Sequence, residues 1–562
     1  MGSLKRRMRM QALAIGLVCS VAAPAAHAQG VAPGQPTRDE LNPAARAPAP
    51  TPPAADILEP EPPGPCPLRD SPLKLTLRSV TLRGLTGVSA DQVAPAYADL
   101  IGREIPVGAL CDVRDRVSSR LFAAGLLARV EIPEQRIADG ALVLDVIEAR
   151  IVNVRVRGDA GPAQEAVERH LAKLRGMSPF DLNRAQRYIL LASDVPGVAL
   201  RVTVRPSTVQ ERGAVDLDVR VTRDPIDVTV GVQNLGAKAL GPWSAMARAD
   251  FSGLTSLGER TSLVVFSTLD GDEQRVVQLL EEARLGGEGL LVRANLTYAQ
   301  THPGDRFQAL DLEGEALIAG AEVAYPIIRA RRRNLNVAAG FDWIDQTTDF
   351  SDLARLTDDK LRVIYARVDG GWRSRSGTPF AVTGALTVRK GLSAFGASDS
   401  NDALLSRFGA DPEALLVRGE AQISVGVAPW LSANLRAEGQ YTGDRLLAYE
   451  EISAGALTVG RGYDPGAATG DRGVMAAFEL RGPPIPLGTG LTFSPYGFVD
   501  AGWLEKLGGE NADFSSIGLG GELRLRDRVR LNVAYARALE EAYAGFGKPG
   551  GRVLVALTAA LW

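Results

Sequence analysis

The sequence predicts a membrane β-barrel of about 16 antiparallel strands, preceded by two small α/β domains. Three observations carry this. From about Pro225 onward, apolar and polar residues alternate over strand-length segments. Ahead of that point one order of strands and helices occurs twice in succession. Beyond the first 28 residues there is no run of about 18 apolar residues, so no spanning helix is available.

Residues 1–28 read as a secretory signal peptide. "MGSLKRRMRM" supplies a basic start, "ALAIGLVCSVAA" a short apolar run, and "AHA" before Gln29 a small-x-small cleavage site. The run is short for a transmembrane helix; a retained signal anchor is the weaker alternative. The 562 residues carry a formal net charge of −3, and losing Lys5, Arg6, Arg7 and Arg9 makes the mature chain more acidic. That balance argues against nucleic acid as a partner.

Cys19 leaves with the signal, so Cys66 and Cys111 remain. Two cysteines in an oxidising periplasm suggest one disulfide, with two unpaired thiols as the alternative. These cysteines with the distant His170 or His302 lack the ligand spacing of a zinc site, and neither metal nor cofactor is expected.

Residues 29–68 form a Pro- and Ala-rich linker, extended and semi-rigid. Within it "TRDELNPAARA" can make a helical turn or two, capped by Thr37, before proline interrupts.

Residues 69–148 read as the first α/β domain. "LKLTLRSVTLRG" is a strand, "SADQVAPAYADLIG" a helix with Ser89 as N-cap, and "VGALCDVRDRVSSRLFAAGL" a second amphipathic helix. "ARVEIPEQRI" and "ALVLDVIEARI" close it as two strands around an "ADG" turn. Residues 149–224 repeat that order, from "IVNVRVRG" through the helices "PAQEAVERHLAKLRG" and "SPFDLNRAQRYILLASDVPG" to "VALRVTVRP" and "GAVDLDVRVTRD".

Residues 225–562 are the barrel. In "LLVRANLTY" Leu290, Val292, Ala294, Leu296 and Tyr298 face one way while Arg293, Asn295 and Thr297 face the other. "LNVAAGFDW" and "LSANLRAEGQY" alternate likewise. A soluble β-sandwich also alternates, but here the polar rows carry charges in mid-strand and aromatics sit at the ends of the apolar rows. That combination describes a barrel with lipid outside and a wet lumen. The last strand, "RVLVALTAALW", ends on the aromatic Trp562.

In this order, the segments resemble the outer-membrane transporters of two-partner secretion (the TpsB family), over about Leu73 to Trp562. The repeated units look like POTRA domains, through "LRSVTLRGLTGVSADQV" and "IPEQRIADGALVLDVIEARI" in the first and "FDLNRAQRYILLASDVPGVALRVTVRP" in the second. The basic turn "YPIIRARRRNLNV" and "VRKGLSAFGAS" also look like family segments. The most specific stretch is "GALTVGRGYDPGAATGDRG", within a hairpin near residues 447–474.

In relatives this hairpin folds back into the pore, and its arginine pairs with the aspartate of a Phe-x-Asp-x-Gly strand. The resemblance therefore implies a pore-loop motif of Arg461, Gly462, Tyr463 and Asp464 facing Phe498, Asp500 and Gly502 of "FVDAG". Glycine suits a loop packed close to a wall, and arginine offers a carboxylate a planar fork. A surface loop with an incidental arginine is the plainer alternative. Gly460 stands where the family usually has valine, which implies a looser tip. Relatives also plug the pore with an N-terminal helix, but the corresponding region here is broken by proline.

No enzyme is expected. No G-x-S-x-G occurs, the two histidines of the mature chain, His170 and His302, read as surface residues, and the glycine-rich strings do not join a strand to a helix. The resemblance implies an outer-membrane translocator in a Gram-negative bacterium, with POTRA domains in the periplasm capturing an unfolded exoprotein. The expected partners are a large secreted exoprotein of adhesin or haemolysin type and outer-membrane lipid. An assembly insertase of the same superfamily is the alternative, and a passive pore the third.

Overall fold

The computed structural model describes residues 35–46, 65–137, 139–351, 353–374, 377–543, 545 and 547–561. The expected signal peptide, much of the linker and Trp562 lie outside the described residues.

In the first α/β domain the strand Ala141–Glu148 is central, parallel to Ser79–Arg83 and antiparallel to Ala128–Glu131. The helix Ala109–Ala123 covers this sheet with Leu110, Val113, Val117 and Leu121, a spacing that keeps one face apolar. Two elements differ from expectation. The first helix is α-helical only over Ala90–Val93 and continues as 3-10 turns at Ala94–Ala96 and Ala98–Leu100. Pro95 explains this, since it has no N–H to donate and its ring clashes with the preceding turn. The opening strand is also split, because Lys74–Thr76 pairs with Glu104–Pro106 in a separate ribbon. Cys66 and Cys111 form a disulfide with Cα atoms 6.0 Å apart, tying the segment ahead of the domain to its main helix.

The second domain repeats the layout, with Ala214–Arg223 between Arg150–Gly158 and Val198–Pro206. Helices Gln164–Leu171 and Leu182–Ser193 pack Val167, Leu171 and Ile189 against Ile151, Leu217 and Val219. Asp181 caps the latter helix, accepting from the N–H groups of Asn183 (2.8 Å) and Arg184 (3.3 Å).

This domain is seated on the barrel. Asp194, the C-cap of Leu182–Ser193, takes both prongs of Arg329 at 2.8 and 2.6 Å. Arg187 donates to the Pro326 carbonyl at 2.8 Å. His170 is part of this seam and not the surface histidine expected from the sequence. It is 1% exposed, with Nδ1 3.1 Å from the Gly287 carbonyl in a barrel turn. Its partner comes from another domain, so nothing in its own helix announces the burial. His302 is half exposed and lies 3.4 Å from Glu313.

Among the described residues the barrel has sixteen antiparallel staves, closed where Ile226–Gln233 pairs with Arg552–Ala560. The short segment Ile485–Gly488 continues the stave Arg472–Arg481 against the same neighbour. Leu263, Val265, Leu279, Leu296 and Tyr298 point outward and are exposed, while Ser262, Val264, Gln278 and Thr297 point inward and are buried. The inward Gln278 and Thr297 hydrogen-bond at 3.0 Å, so the polar row is satisfied across strands. Turns on the α/β side are short, whereas the opposite end carries the long loops after Gly391 and Thr442. None of the described helices is long and apolar enough to cross a membrane.

Candidate functional site

The loop between the staves Leu431–Thr442 and Arg472–Arg481 does not stay outside. It turns back into the barrel, and its tip reaches the wall strand Leu491–Glu505. Arg461 grips Asp500 with its side chain, Nε at 3.0 Å and Nη2 at 2.7 Å, and with its backbone N–H at 2.8 Å. Nη1 of the same guanidinium donates to Glu479 at 3.1 Å. Asp500 is fully buried and accepts also from Ser516 Oγ at 3.3 Å. A buried carboxylate so surrounded by donors stays satisfied away from water.

The strand motif has a physical reading. Phe498, Asp500 and Gly502 are alternate residues of one strand, so all three face inward. The Phe498 ring lies under the guanidinium, 3.4 Å from centroid to Arg461 Cζ, a stacking arginine favours. Gly502 makes room, because a Cβ there would sit 2.4 Å from Phe514. Phe514 in turn meets Tyr463 edge-on, with centroids 5.8 Å apart. Tyr463 is buried, its hydroxyl 2.9 Å from the carbonyls of Ser515 and Glu540.

Gly462 lies so close to the wall that a Cβ would be 2.7 Å from the Ala538 nitrogen. Gly460 has φ of +114°, a region L side chains rarely adopt, and a Cβ there would be 3.1 Å from the Phe514 ring. The glycine therefore does not loosen the tip; it permits a tip pressed against Phe514. Asp464 turns away from Asp500 and pairs with Arg552 at 2.8 Å.

Sequence reasoning missed two further anchors of the same loop. At its outer base, Arg407 reaches Glu451 at 3.1 Å and Asp471 at 2.5 Å, and Lys506 reaches Glu451 at 3.0 Å. All four side chains are buried. Halfway down, Arg389 of the wall pairs with Glu450 (2.8 Å) and Asp342 (2.9 Å). Arg389 sits in "VRKGLSAFGAS" and Asp471 in the quoted hairpin stretch, but neither stretch pointed to its partners.

The second occupant of the lumen is the N-terminal segment 35–46. It is not a long helix. Thr37 and Glu40 cap each other reciprocally around one turn, with Thr37 N–H to Glu40 Oε2 at 2.9 Å and Glu40 N–H to Thr37 Oγ1 at 3.3 Å. A 3-10 turn follows at Pro43–Arg46. Arg46 bends back onto the carbonyls of Asp39 (2.7 Å) and Glu40 (2.8 Å) and lies over the Phe266 ring.

Apolar contact anchors the segment through Leu41, and Pro36 and Pro43 are buried beside it. Leu41 is buried among inward-facing Phe266, Val276, Ile344 and Leu361 of the wall and Tyr449 of the hairpin. Polar bonds hold the rest, from Gln35 to Thr357 (3.0 Å), from Ala44 N–H to Gln278 (2.8 Å), and from hairpin Ser453 to Asp39 (2.8 Å). Hairpin and N-terminal segment thus brace each other across the pore.

Comparison with known proteins places this architecture. The family described as "Haemolysin secretion/activation protein ShlB/FhaC/HecB" matches residues 213–525, and the ShlB-type POTRA domain matches residues 75–149. The heme/hemopexin transporter protein HuxB of Haemophilus influenzae is 22% identical over 490 residues, 83% of this chain and 84% of that protein. Among solved structures, CdiB from Escherichia coli superposes with a TM-score of 0.69 at 16% identity, covering 90% of this chain and 94% of that one. BamA from Haemophilus ducreyi lacking POTRA domains 1–3 superposes with a TM-score of 0.52 at 12% identity, covering 87% of this chain and 100% of that one.

Proposed function

The chain belongs to the ShlB/FhaC/HecB family of haemolysin secretion/activation proteins, and from that premise we propose that its cargo is one large exoprotein of adhesin or haemolysin type. The protein is a two-partner secretion translocator of the outer membrane, with its POTRA domains in the periplasm.

The observation that carries the reading is a lumen closed by two removable parts. The hairpin is held by ion pairs, hydrogen bonds and an apolar patch in which Val459 and Tyr463 pack on Phe514 of the wall, and the N-terminal segment by hydrogen bonds and Leu41. Both parts are short segments threaded through the lumen, so an extended chain can displace them without unfolding the barrel wall. The periplasmic domains suit capture of that chain. Each three-stranded sheet has two edge strands, and the second domain's edges, Arg150–Gly158 and Val198–Pro206, are long enough to pair with an extended segment. Folding of the exoprotein outside then supplies direction.

We assign the Arg461–Asp500 clamp the role of holding the hairpin at the wall, and we assign the protein no enzymatic activity. The outward apolar staves contact outer-membrane lipid. Proteomics of culture medium and outer membrane, with and without the protein, tests the reading. Loss of one large exoprotein from the medium is expected; unchanged medium with depleted outer-membrane barrels would mark an insertase instead.

A further inference from the structure

The chain carries a formal charge of −3, yet the periplasmic half of its lumen is basic. A cavity of about 970 Å³ opens there, lined by twelve arginines and six carboxylate side chains. Many of these arginines are neutralised in place. Arg329 faces Asp194 at 2.6 Å, and Arg293 and Arg367 share Glu322 at 2.7 and 3.0 Å.

The rim is different. Arg332 closes the turn before a stave that begins at Arg333, and Arg373 ends the neighbouring stave, its N–H donating to the Arg332 carbonyl at 2.8 Å. All three are exposed and line the cavity, and among the described residues none has a carboxylate within ion-pair distance. Three like charges crowded together repel, and folding alone gives no reason to gather them.

We propose that this rim is an entry site for acidic, extended stretches of the exported polypeptide. The inference rests on the translocator reading above. A like-charged rim on a low-dielectric wall focuses the field and raises the local concentration of anions. Arginine forks fit carboxylates, yet water-exposed pairs are individually weak, so a chain is drawn in and handed on without being trapped. The position favours a polypeptide over a lipid headgroup, because all three arginines line the lumen.

The test uses the full chain in planar bilayers of phosphatidylcholine at 0.1 M KCl. The probes are two synthetic unstructured peptides of equal length, one Asp/Ser and one Lys/Ser, added on the periplasmic side. The acidic peptide is expected to block the current about tenfold more often. That preference should fall towards parity in R332Q/R333Q/R373Q, and in wild type at about 1 M salt, where the screening length is near 3 Å.

Equal blocking by the two peptides, or a preference untouched by the triple variant, overturns the proposal. So does loss of the preference on adding phosphatidylglycerol, which would assign the rim to lipid headgroups. If the preference is absent while deletion of the protein still empties the medium of an exoprotein, the inference fails and the translocator stands. If deletion leaves the medium unchanged, both fall.

Discussion

Arg461 and Asp500, 39 residues apart, meet through three nitrogen donors of one residue, two on the guanidinium and one on the backbone. The side-chain prongs fix the plane of the guanidinium and the backbone donor fixes the chain beneath it. A lysine can supply charge at this site but neither the fork nor the stacking on Phe498.

Arg461→Ala removes the fork and leaves Asp500 buried, with a loss of about 1.5–3 kcal/mol at the tip. Secretion should fall sharply while a heat-modifiable barrel persists in the membrane. Arg461→Lys should restore little of the loss. The assay is exoprotein in the medium beside the gel mobility of unheated barrel.

Gly460→Val should harm the protein, although the family resemblance leads one to expect valine at that place. The residue would have to adopt φ near +114° against Phe514, at a cost of about 1–3 kcal/mol. A lowered temperature of conversion to the heat-denatured form on gels is the expected reading, with wild-type stability as the opposing one.

The charges at the hairpin's base are more deeply buried than Arg461 and should be more sensitive than the tip. Lys506→Met leaves Glu451 with Arg407 as its remaining cation, a defect of about 3–5 kcal/mol if the site does not rearrange. The outer loop should then become accessible to protease on whole cells, whereas the wild-type loop resists.

The seat of the second POTRA domain should weaken in mild acid. Burial pushes the His170 pKa below its ordinary value of 6.5, with the Gly287 carbonyl pulling the other way. A histidine with a depressed folded pKa stabilises the docked state most above the free value. That stability declines as pH falls through 6.5, because the undocked side chain takes up the proton first. Spin-label distances between this domain and the barrel should be sharp at pH 7.5 and broaden by pH 5.5. His170→Gln should remove that dependence.

What the sequence disclosed follows from the range over which its signals act. Stave alternation is local, so Leu296 and Tyr298 could be placed outward from their own strand. The tip was legible because Arg461 and "FVDAG" carry unusual residues at both ends of one contact. The base was not, since Glu451 and Asp471 of the hairpin meet Arg407 and Lys506 from two other loops, and no motif marks either cation. His170 was misread for the same reason, its partner being 117 residues away. The N-terminal segment hid behind its prolines, because Leu41, two buried prolines and a set of polar bonds hold it with no more than a 3-10 turn.

The central claim is that the cargo passes through the lumen past these braces. Thr387 lines the inner cavity, and its neighbour Leu386 on the same stave is 54% exposed on the lipid side. A photo-crosslinking residue at each position, in cells arrested during secretion, separates the two faces by one residue. The account predicts an adduct with the exoprotein from position 387 and none from 386. Equal adducts from both, or adducts from 386 alone, would contradict it.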